Sequence, residues 1–288
     1  MAEEKNKIIG GTLYLVATPI GNLADISERA VKALTECDFI AAEDTRNSLR
    51  LLTALGIKNT LVSYHEHNKH QSGEKIVARL LSGESCALIT DAGMPAISDP
   101  GEDIVRLCAD AGIPVSVIPG ACAAVSALSL SGLATARFVF EGFLPVQKSE
   151  RKNRLDTLLR ESRTMILYEA PHKLVSTLGD LLDAFGESRR ISLCRELTKL
   201  NEDVMRTTLG GAVAFYEKNE PRGEYVLVLE GASEESIEIE ENSLLALTPE
   251  EHVQSYIDSG MSKMDAIKRA SRERGVPKSE LYKLFTND

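Results

Sequence analysis

The chain has 288 residues, of which 43% are hydrophobic and 26% charged, and its formal net charge is −10. This composition excludes a disordered chain, and the length suits two α/β domains of ordinary size or one large domain with a small appendage. The N-terminus lacks a signal-peptide pattern and no apolar run could span a bilayer, so we expect a cytoplasmic protein without a membrane partner. The acidity excludes nucleic-acid binding over the whole surface, which leaves only local basic patches for that role.

The five cysteines are widely spaced and lie mostly in apolar runs. Their odd number and their spacing favour reduced, buried thiols over a disulfide framework. No cysteine or histidine cluster has the spacing of a zinc site, so we predict no metal. The dinucleotide fingerprint GxGxxG and the phosphate-binding motif GxxxxGK[ST] are also absent.

Strand and helix patterns alternate through the first part of the chain, which predicts a parallel sheet covered by helices. The predicted strands are residues 11–18, 38–43, 60–64, 86–90 and 114–118. Helices are predicted from about Asp25 as N-cap, over 46–55, around 73–82, before Gly112 and after Pro119-Gly120. The apolar run CALIT (86–90) is typical of the centre of a parallel sheet.

The pattern changes after residues 138–144, and a second sheet is predicted beyond a domain boundary near residues 120–140. Its strands are residues 138–144, 164–169, 190–197, 202–208 and 224–231, and its helices begin near 148, 171 and 211. Residues 202–208 alternate as an antiparallel strand would, so we expect this sheet to be mixed. The predicted fold is therefore two α/β domains, the first with a parallel and the second with a mixed sheet, followed by a small helical domain.

The predicted domain limits are 1–125 for the N-terminal α/β domain, 126–232 for the second α/β domain, 233–248 for an acidic linker and 249–288 for a helical tail. The linker is rich in glutamate and poor in apolar residues. The tail contains three short helical patterns whose spacing suits a helix-turn-helix-like bundle. Residues 261–283 carry seven Lys/Arg against three Asp/Glu. A nucleic-acid surface and an amphipathic dimerisation or capping bundle both fit this pattern.

Three loops that follow predicted strands contain glycine, at residues 19–22, 91–101 and 119–120. Ligands of open α/β sheets bind beyond the carboxyl ends of the strands. Gly93 allows a ligand to approach the backbone, and the carboxylates of Asp91 and Asp99 suit a cationic or hydroxyl-rich ligand. A tight structural turn is the alternative explanation for each loop taken alone.

The chain resembles the tetrapyrrole-methylase superfamily in four segments: VATPIGN (16–22), DAGMPAISDPG (91–101), PGACAAVSAL (119–128) and RGEYVLVLEG (222–231). Five more are similar to one branch of it: AEDTRNS (42–48), SYHEHN (63–68), EGFLP (141–145), YEAPHKL (168–174) and RELTK (195–199). That branch methylates the ribose 2′-oxygen of a cytidine at the decoding site of 16S ribosomal RNA. The resemblance covers residues 11–231 and extends to the helical tail, and Cys122 stands where the family often has another small residue.

This resemblance implies that S-adenosyl-L-methionine is the cofactor and lies in a cleft between the two domains. The residues implied as cofactor-binding are Pro19, Asp91, Ala92, Gly93, Ile97, Ser98, Asp99, Ala123, Ala124, Leu144, Tyr168 and Glu169. It also implies a homodimer, with ribosomal RNA or the small ribosomal subunit as substrate.

Methyl transfer to a ribose hydroxyl requires mainly positioning, together with a base that accepts the hydroxyl proton. The candidate catalytic residues are Glu43, Asp44, Arg46 and His65, and Glu66, Glu169 and His172 are further candidate bases. Several have structural alternatives: Asp44 can cap a helix, and His65 can be a surface histidine. Arg46 can hold an RNA phosphate or pair with Glu43. A metal site at His65 and His67 lacks a third ligand.

Basic residues that could contact the RNA backbone are Lys148, Arg151, Lys152, Arg154, Arg195 and Lys199, although the run at 148–154 also fits a solvated helix face. Two other functions share the same loops. One is C-methylation of a tetrapyrrole such as uroporphyrinogen or precorrin, and the other is a non-catalytic ribosome-assembly module that binds RNA. The segments AEDTR and HEHN and the helical tail favour RNA methylation.

Overall fold

A computed structural model describes residues 6–233, 244–258 and 260–285 of the chain. The first sheet consists of β1 (Leu13–Val16), β2 (Phe39–Ala42), β3 (Leu61–Ser63), β4 (Cys86–Ile89) and β5 (Val115–Ile118). All its pairings are parallel and the strand order is β3-β2-β4-β1-β5. The prediction that the CALIT strand lies at the centre is confirmed, since β4 is the middle strand.

Four helices cover the first sheet: α1 (Glu28–Glu36), α2 (Thr45–Ala54), α3 (Lys69–Leu81) and α4 (Gly101–Asp110). Helices α1 and α2 pack on one face, through Ala33, Leu34 and Leu52. Helices α3 and α4 pack on the other, through apolar residues such as Ile76 and Ile104. The inner strands β1, β2 and β4 are buried on both faces and consist almost wholly of apolar residues, as parallel strands usually do.

The start of α1 differs from the prediction, because Asp25 is not its N-cap. Residues Leu23–Asp25 form a separate 3₁₀ turn, which the side chain of Asn22 caps by accepting from the Ala24 N–H. Ser27 is the N-cap of α1, and its hydroxyl accepts from the Ala30 N–H at 3.1 Å. Asn, Asp and Ser are all favoured N-cap residues, so their order along the chain does not decide which one starts the helix.

The second sheet consists of β6 (Phe138–Gly142), β7 (Thr164–Glu169), β8 (Arg190–Arg195), β9 (Asp203–Thr208) and β10 (Tyr225–Leu229), in the order β6-β7-β10-β8-β9. The β6–β7 pair is parallel and the other pairs are antiparallel, which confirms the predicted mixed sheet. One face packs on α6 (Lys148–Leu158), α7 (Pro171–Phe185) and α8 (Leu209–Tyr216). The other face packs on α5 (Ala123–Ser131). The domain limits given above stay predictions.

The helical tail contains α9 (Pro249–Asp258), α10 (Lys263–Arg274) and α11 (Lys278–Leu284). These helices enclose a small core that includes Val253, Ile267 and Leu281. An ion pair of 3.1 Å between Arg160 and Glu273 joins the tail to the second domain. The predicted acidic linker falls mainly on residues 234–243, which lie outside the described residues.

Over the ranges that the structure describes, no helix has both the length and the apolar character required to cross a membrane.

All five cysteines are free thiols; four are buried and Cys122 is partly exposed.

Candidate active site

A cleft of about 490 Å³ lies between the two sheets, next to the carboxyl ends of the central strands of the first. Its lining comes from both domains. The predicted site residues that line it are Glu43, Asp91, Ala92, Gly93, Ile97, Ser98, Asp99, Ala123, Tyr168 and Glu169. Strands β1 and β4 are adjacent, so the loops that follow them meet at one edge of the sheet, where ligands of such folds bind.

A short antiparallel bridge holds the loops after β1 and β4 together. Thr18 and Gly93 exchange backbone hydrogen bonds of 2.9 and 3.0 Å. Gly93 has a φ of +83°, and a Cβ at this position would lie 3.1 Å from the Ile20 Cγ2 atom. Glycine therefore fits here both for its conformation and for the close approach of the two loops.

Asp99 braces the loop after β4. Its carboxylate accepts hydrogen bonds from the backbone N–H groups of Ala96, Ile97 and Gly101, at 3.0, 3.2 and 2.7 Å. Ala96 and Ser98 both have a φ of +66°, a left-handed conformation that is uncommon for residues with a side chain. The carboxylate of Asp99 is thus occupied by its own loop, and Ser98, one of the two residues in the left-handed conformation, lines the cleft.

Asp91 and Glu43 place two carboxylates at the same end of the cleft. Asp91 accepts from the Asp44 N–H at 3.2 Å and from the Asn47 amide at 3.4 Å. Glu43 accepts from the Thr90 hydroxyl at 2.7 Å. Burial, together with the charge of Glu43, raises the pKa of Asp91 above its ordinary value. This end of the cleft therefore favours cationic groups and hydrogen-bond donors.

Aromatic and carboxylate groups at the end of β7 form the opposite wall. The hydroxyl oxygen of Tyr168 accepts from the Ala124 N–H at 3.2 Å, and burial raises the pKa of Tyr168 to about 12, so the hydroxyl stays neutral. The rings of Phe140 and Phe143 contact the Tyr168 ring edge to face, with centroids 5.0 and 5.6 Å away. Glu169 follows Tyr168 and also lines the cleft.

The sequence does not predict one part of this opposite wall, which is formed by Lys199, Glu224, Tyr225 and Val226. Lys199 forms ion pairs with Glu196 at 2.9 Å and Glu224 at 2.8 Å. A Cβ on Gly21 would lie 2.4 Å from the Lys199 Cγ atom, so the loop after β1 packs directly on this lysine. The segments PIGN, RELTK and RGEY all contribute to the family resemblance, but only the fold shows that they meet.

Three residues implied as cofactor-binding, namely Pro19, Ala124 and Leu144, do not line the cleft. Ala124 contributes its N–H to Tyr168, and Leu144 is buried in the core of the second domain. Their role at the cofactor therefore stays a prediction.

Three of the candidate catalytic residues, Asp44, Arg46 and His65, also lie outside the lining. Asp44 is the N-cap of α2 and pairs with Arg46 at 2.8 Å, which lowers the pKa of Asp44 to about 2. The Arg46 side chain is 86% exposed. His65 follows the edge strand β3, and its backbone N–H donates to Asn68 at 2.8 Å. Of the four candidates, only Glu43 faces the cleft.

The further candidate bases lie elsewhere on the surface, except for Glu169. Glu66 pairs with Lys69 at 2.7 Å, and His172 is exposed in the first turn of α7. The rings of His65 and His67 are 5.9 Å apart, and no group of three potential metal ligands occurs in the described part of the chain.

The fold and the cleft define a class of two-domain α/β proteins that bind a ligand between a parallel and a mixed sheet. The chain belongs to the tetrapyrrole (corrin/porphyrin) methylase family, whose profile matches residues 12–213. It is 48% identical over 275 residues to the ribosomal RNA small subunit methyltransferase I of Halalkalibacterium halodurans, covering 96% of this chain and 94% of that protein. The protein of the same name from Escherichia coli O157:H7 is 43% identical over 277 residues, covering 95% and 94%.

Solved structures of other methyltransferases share the fold. The uroporphyrin-III C-methyltransferase of Thermus thermophilus has a TM-score of 0.55 at 21% identity, covering 76% of this chain and 94% of that one. The cobalt precorrin-4 methyltransferase has a TM-score of 0.56 at 16% identity, covering 76% and 95%. Another structure of the Thermus thermophilus protein, with a TM-score of 0.55 at 17% identity, holds S-adenosylhomocysteine.

Proposed function

We propose that the chain is a cytoplasmic S-adenosylmethionine-dependent methyltransferase that methylates the 2′-oxygen of a cytidine ribose in 16S ribosomal RNA. The observation that carries this proposal is the carboxylate-lined cleft between the two sheets. The proposal agrees with the relatives named ribosomal RNA small subunit methyltransferase I, which align with nearly the whole chain.

The chemistry of the cleft fits the methyl donor. S-adenosylmethionine carries a sulfonium, an ammonium and two ribose hydroxyls, and Asp91 and Glu169 provide acceptors for such groups. Ala92, Gly93 and Ala123 are small, which leaves room for a flat ring system against the backbone. The volume of about 490 Å³ lies within the usual range for small-molecule sites. When bound, the cofactor supplies an activated methyl group, and the protein supplies position and electrostatics.

Glu43 is the residue best placed to accept the proton of the ribose hydroxyl. It lines the cleft, whereas Asp44, Arg46 and His65 do not. The hydroxyl of Thr90 donates to one oxygen of Glu43, which fixes the carboxylate and leaves further lone pairs for the substrate. A positioned base of this kind contributes roughly 10² to 10⁴ to the rate.

Exposed lysines and arginines on two surfaces supply the RNA contacts in this proposal. On α6, Arg151 is buried and the exposed Arg154 is paired with Glu141 at 2.8 Å. Lys148 and Lys152 are exposed and form no ion pair with a described residue. On the tail, the exposed cations without an ion pair to a described residue include Lys268, Arg272 and Lys278. Since such contacts release counterions, we expect RNA binding to weaken steeply as salt rises.

Methyl transfer from a labelled donor decides between the possible substrates. We expect incorporation into small ribosomal subunits that lack the modification, and we expect it to map to a single ribose. Incorporation into uroporphyrinogen alone would support the tetrapyrrole C-methyltransferase instead. If calorimetry detects no binding of S-adenosylhomocysteine to the wild-type chain, a non-catalytic RNA-binding module is the better explanation.

The homodimer forms part of the same proposal. Val115 and Val117 lie on one face of the edge strand β5 and are 38% and 49% exposed. Their partners on the neighbouring strand β1, Leu13 and Leu15, are covered by helices on that face. A second copy would remove this apolar surface from water. We expect light scattering to give about twice the chain mass of 31.4 kDa. A mass that stays at one chain as concentration rises would exclude the dimer.

A further inference from the structure

Glu169 lines the cleft, yet the residue as a whole is only 5% exposed. Neither of its oxygens contacts a lysine, arginine or histidine among the described residues. One oxygen accepts from the Ala170 N–H at 2.9 Å, and the other accepts from the Thr177 hydroxyl. Burying a carboxylate in this way is costly unless its hydrogen bonds are supplied and its charge is compensated.

The hydrogen-bond chain from Glu169 leads through Thr177 to a cation, Arg151. Arg151 belongs to the basic run of α6, yet it is only 8% exposed, so it does not serve the solvent-facing role that the sequence suggests. Its Nη2 atom donates to the Thr177 hydroxyl oxygen at 2.6 Å. Its Nε atom lies 2.7 Å from the carboxylate of Asp180, one turn further along α7. The guanidinium is therefore held against the same face of α7 that carries Thr177.

The functional groups determine which atom donates and which accepts in each of these hydrogen bonds. A guanidinium can only donate, so the oxygen of Thr177 must accept from Arg151. The hydroxyl hydrogen of Thr177 is then directed to Glu169. Because hydrogen bonds in a chain polarise one another, the positive charge of Arg151 strengthens the bond from Thr177 to Glu169. The carboxylate is thus fixed at both oxygens, and its remaining lone pairs can receive donors from the cleft.

We propose that Arg151 and Thr177 are positioning residues that hold the Glu169 carboxylate in the orientation that binds the methyl donor. The proposal rests on the proposed function, since it assumes that the donor occupies this cleft. Arg151 and Thr177 lie behind Glu169 and act through it, without touching the ligand. The chemical groups that Glu169 would bind are the amino or hydroxyl donors of the cofactor.

Calorimetry with S-adenosylhomocysteine tests the proposal on the full-length chain. Thr177→Val removes only the hydroxyl and nearly keeps the side-chain shape, so we expect the dissociation constant to rise about tenfold, the loss of one charge-assisted hydrogen bond. Thr177→Ser restores the hydroxyl and should bind within about twofold of wild type. Thr157→Val is the matched control, because its exposed hydroxyl bonds only within α6, to the Arg154 carbonyl.

A double-mutant cycle with Glu169→Gln separates a positioning role from general damage to the fold. If Thr177 acts through Glu169, adding Thr177→Val to Glu169→Gln should weaken binding by less than about twofold. Additive losses, an affinity of Thr177→Val equal to wild type, or an unchanged affinity of Glu169→Gln would each overturn the proposal. If Thr177→Val unfolds, Thr177→Ala in the same cycle gives the answer. Absence of binding by the wild-type chain would instead contradict the proposed function.

Discussion

Asp91→Ala should weaken the binding of S-adenosylhomocysteine by about 10- to 100-fold while leaving the folded protein intact. Asp91 lines the cleft, and a hydrogen bond to a charged group contributes about 1.5–3 kcal/mol. Its protein partners are the Asp44 N–H and the Asn47 amide, both at exposed positions where water can replace the lost carboxylate. Calorimetry gives the affinity, and thermal unfolding shows whether stability is retained.

Asp99→Ala should behave differently from Asp91→Ala, because Asp99 stabilises its own loop, whereas Asp91 is expected to bind the ligand. Asp99 holds three backbone N–H groups of its own loop, so its removal should lower both the unfolding temperature and the affinity. Asp110→Ala, at the exposed end of α4, is the neutral control. If Asp91→Ala binds as tightly as wild type, Asp91 has no place in the cofactor site.

The loops of the first sheet could be predicted from the sequence because local signals specify them. Each glycine-containing loop directly follows an apolar strand, and parallel strands bring their carboxyl ends to one edge. Residues 91–94 and 97–99 of the loop after β4 accordingly line the cleft. Ala123, Tyr168 and Glu169 also line it, as the resemblance implies. Here the resemblance and the physical pattern agree.

The part of the opposite wall formed by Lys199, Glu224, Tyr225 and Val226 could not be predicted, since it depends on contacts between distant segments. Lys199 lies at the cleft, where Gly21, nearly 180 positions earlier, allows the loop after β1 to pack on it.

The exposure of the basic run on α6 could not be predicted from the sequence either. Its pattern does not reveal that Arg151 is buried and Arg154 is paired, while Lys148 and Lys152 stay exposed.

The candidate catalytic residues illustrate how neighbours in sequence separate in space. Glu43 and Asp44 are adjacent, but successive side chains at the end of a strand point in different directions. Glu43 faces the cleft, whereas Asp44 caps α2 and pairs with Arg46. A run of charged residues therefore predicts a functional strand end without identifying which residue acts.

Glu43→Gln should lower kcat by about 100-fold or more, because it removes the proton acceptor while keeping the shape of the side chain. The amide oxygen can still accept from the Thr90 hydroxyl, so the fold and the binding of S-adenosylhomocysteine should be retained. His65→Gln is the matched control, since His65 lies outside the cleft lining and should keep kcat within about threefold of wild type. Single-turnover methylation of small ribosomal subunits measures both variants.

Glu43→Gln should also shift the pH dependence of cofactor binding, because it removes a negative charge close to Asp91. Burial, together with the negative charge of Glu43, raises the pKa of Asp91, so in the wild-type chain Asp91 becomes protonated, and affinity falls, at a higher pH than for an ordinary aspartate. Glu43→Gln removes that repulsion and lowers the pKa of Asp91 toward its usual value. The loss of S-adenosylhomocysteine affinity on acidification should therefore move to lower pH in this variant. An unchanged pH profile together with an unchanged kcat would remove Glu43 from the active site and leave the ribose proton without an acceptor among the four candidates.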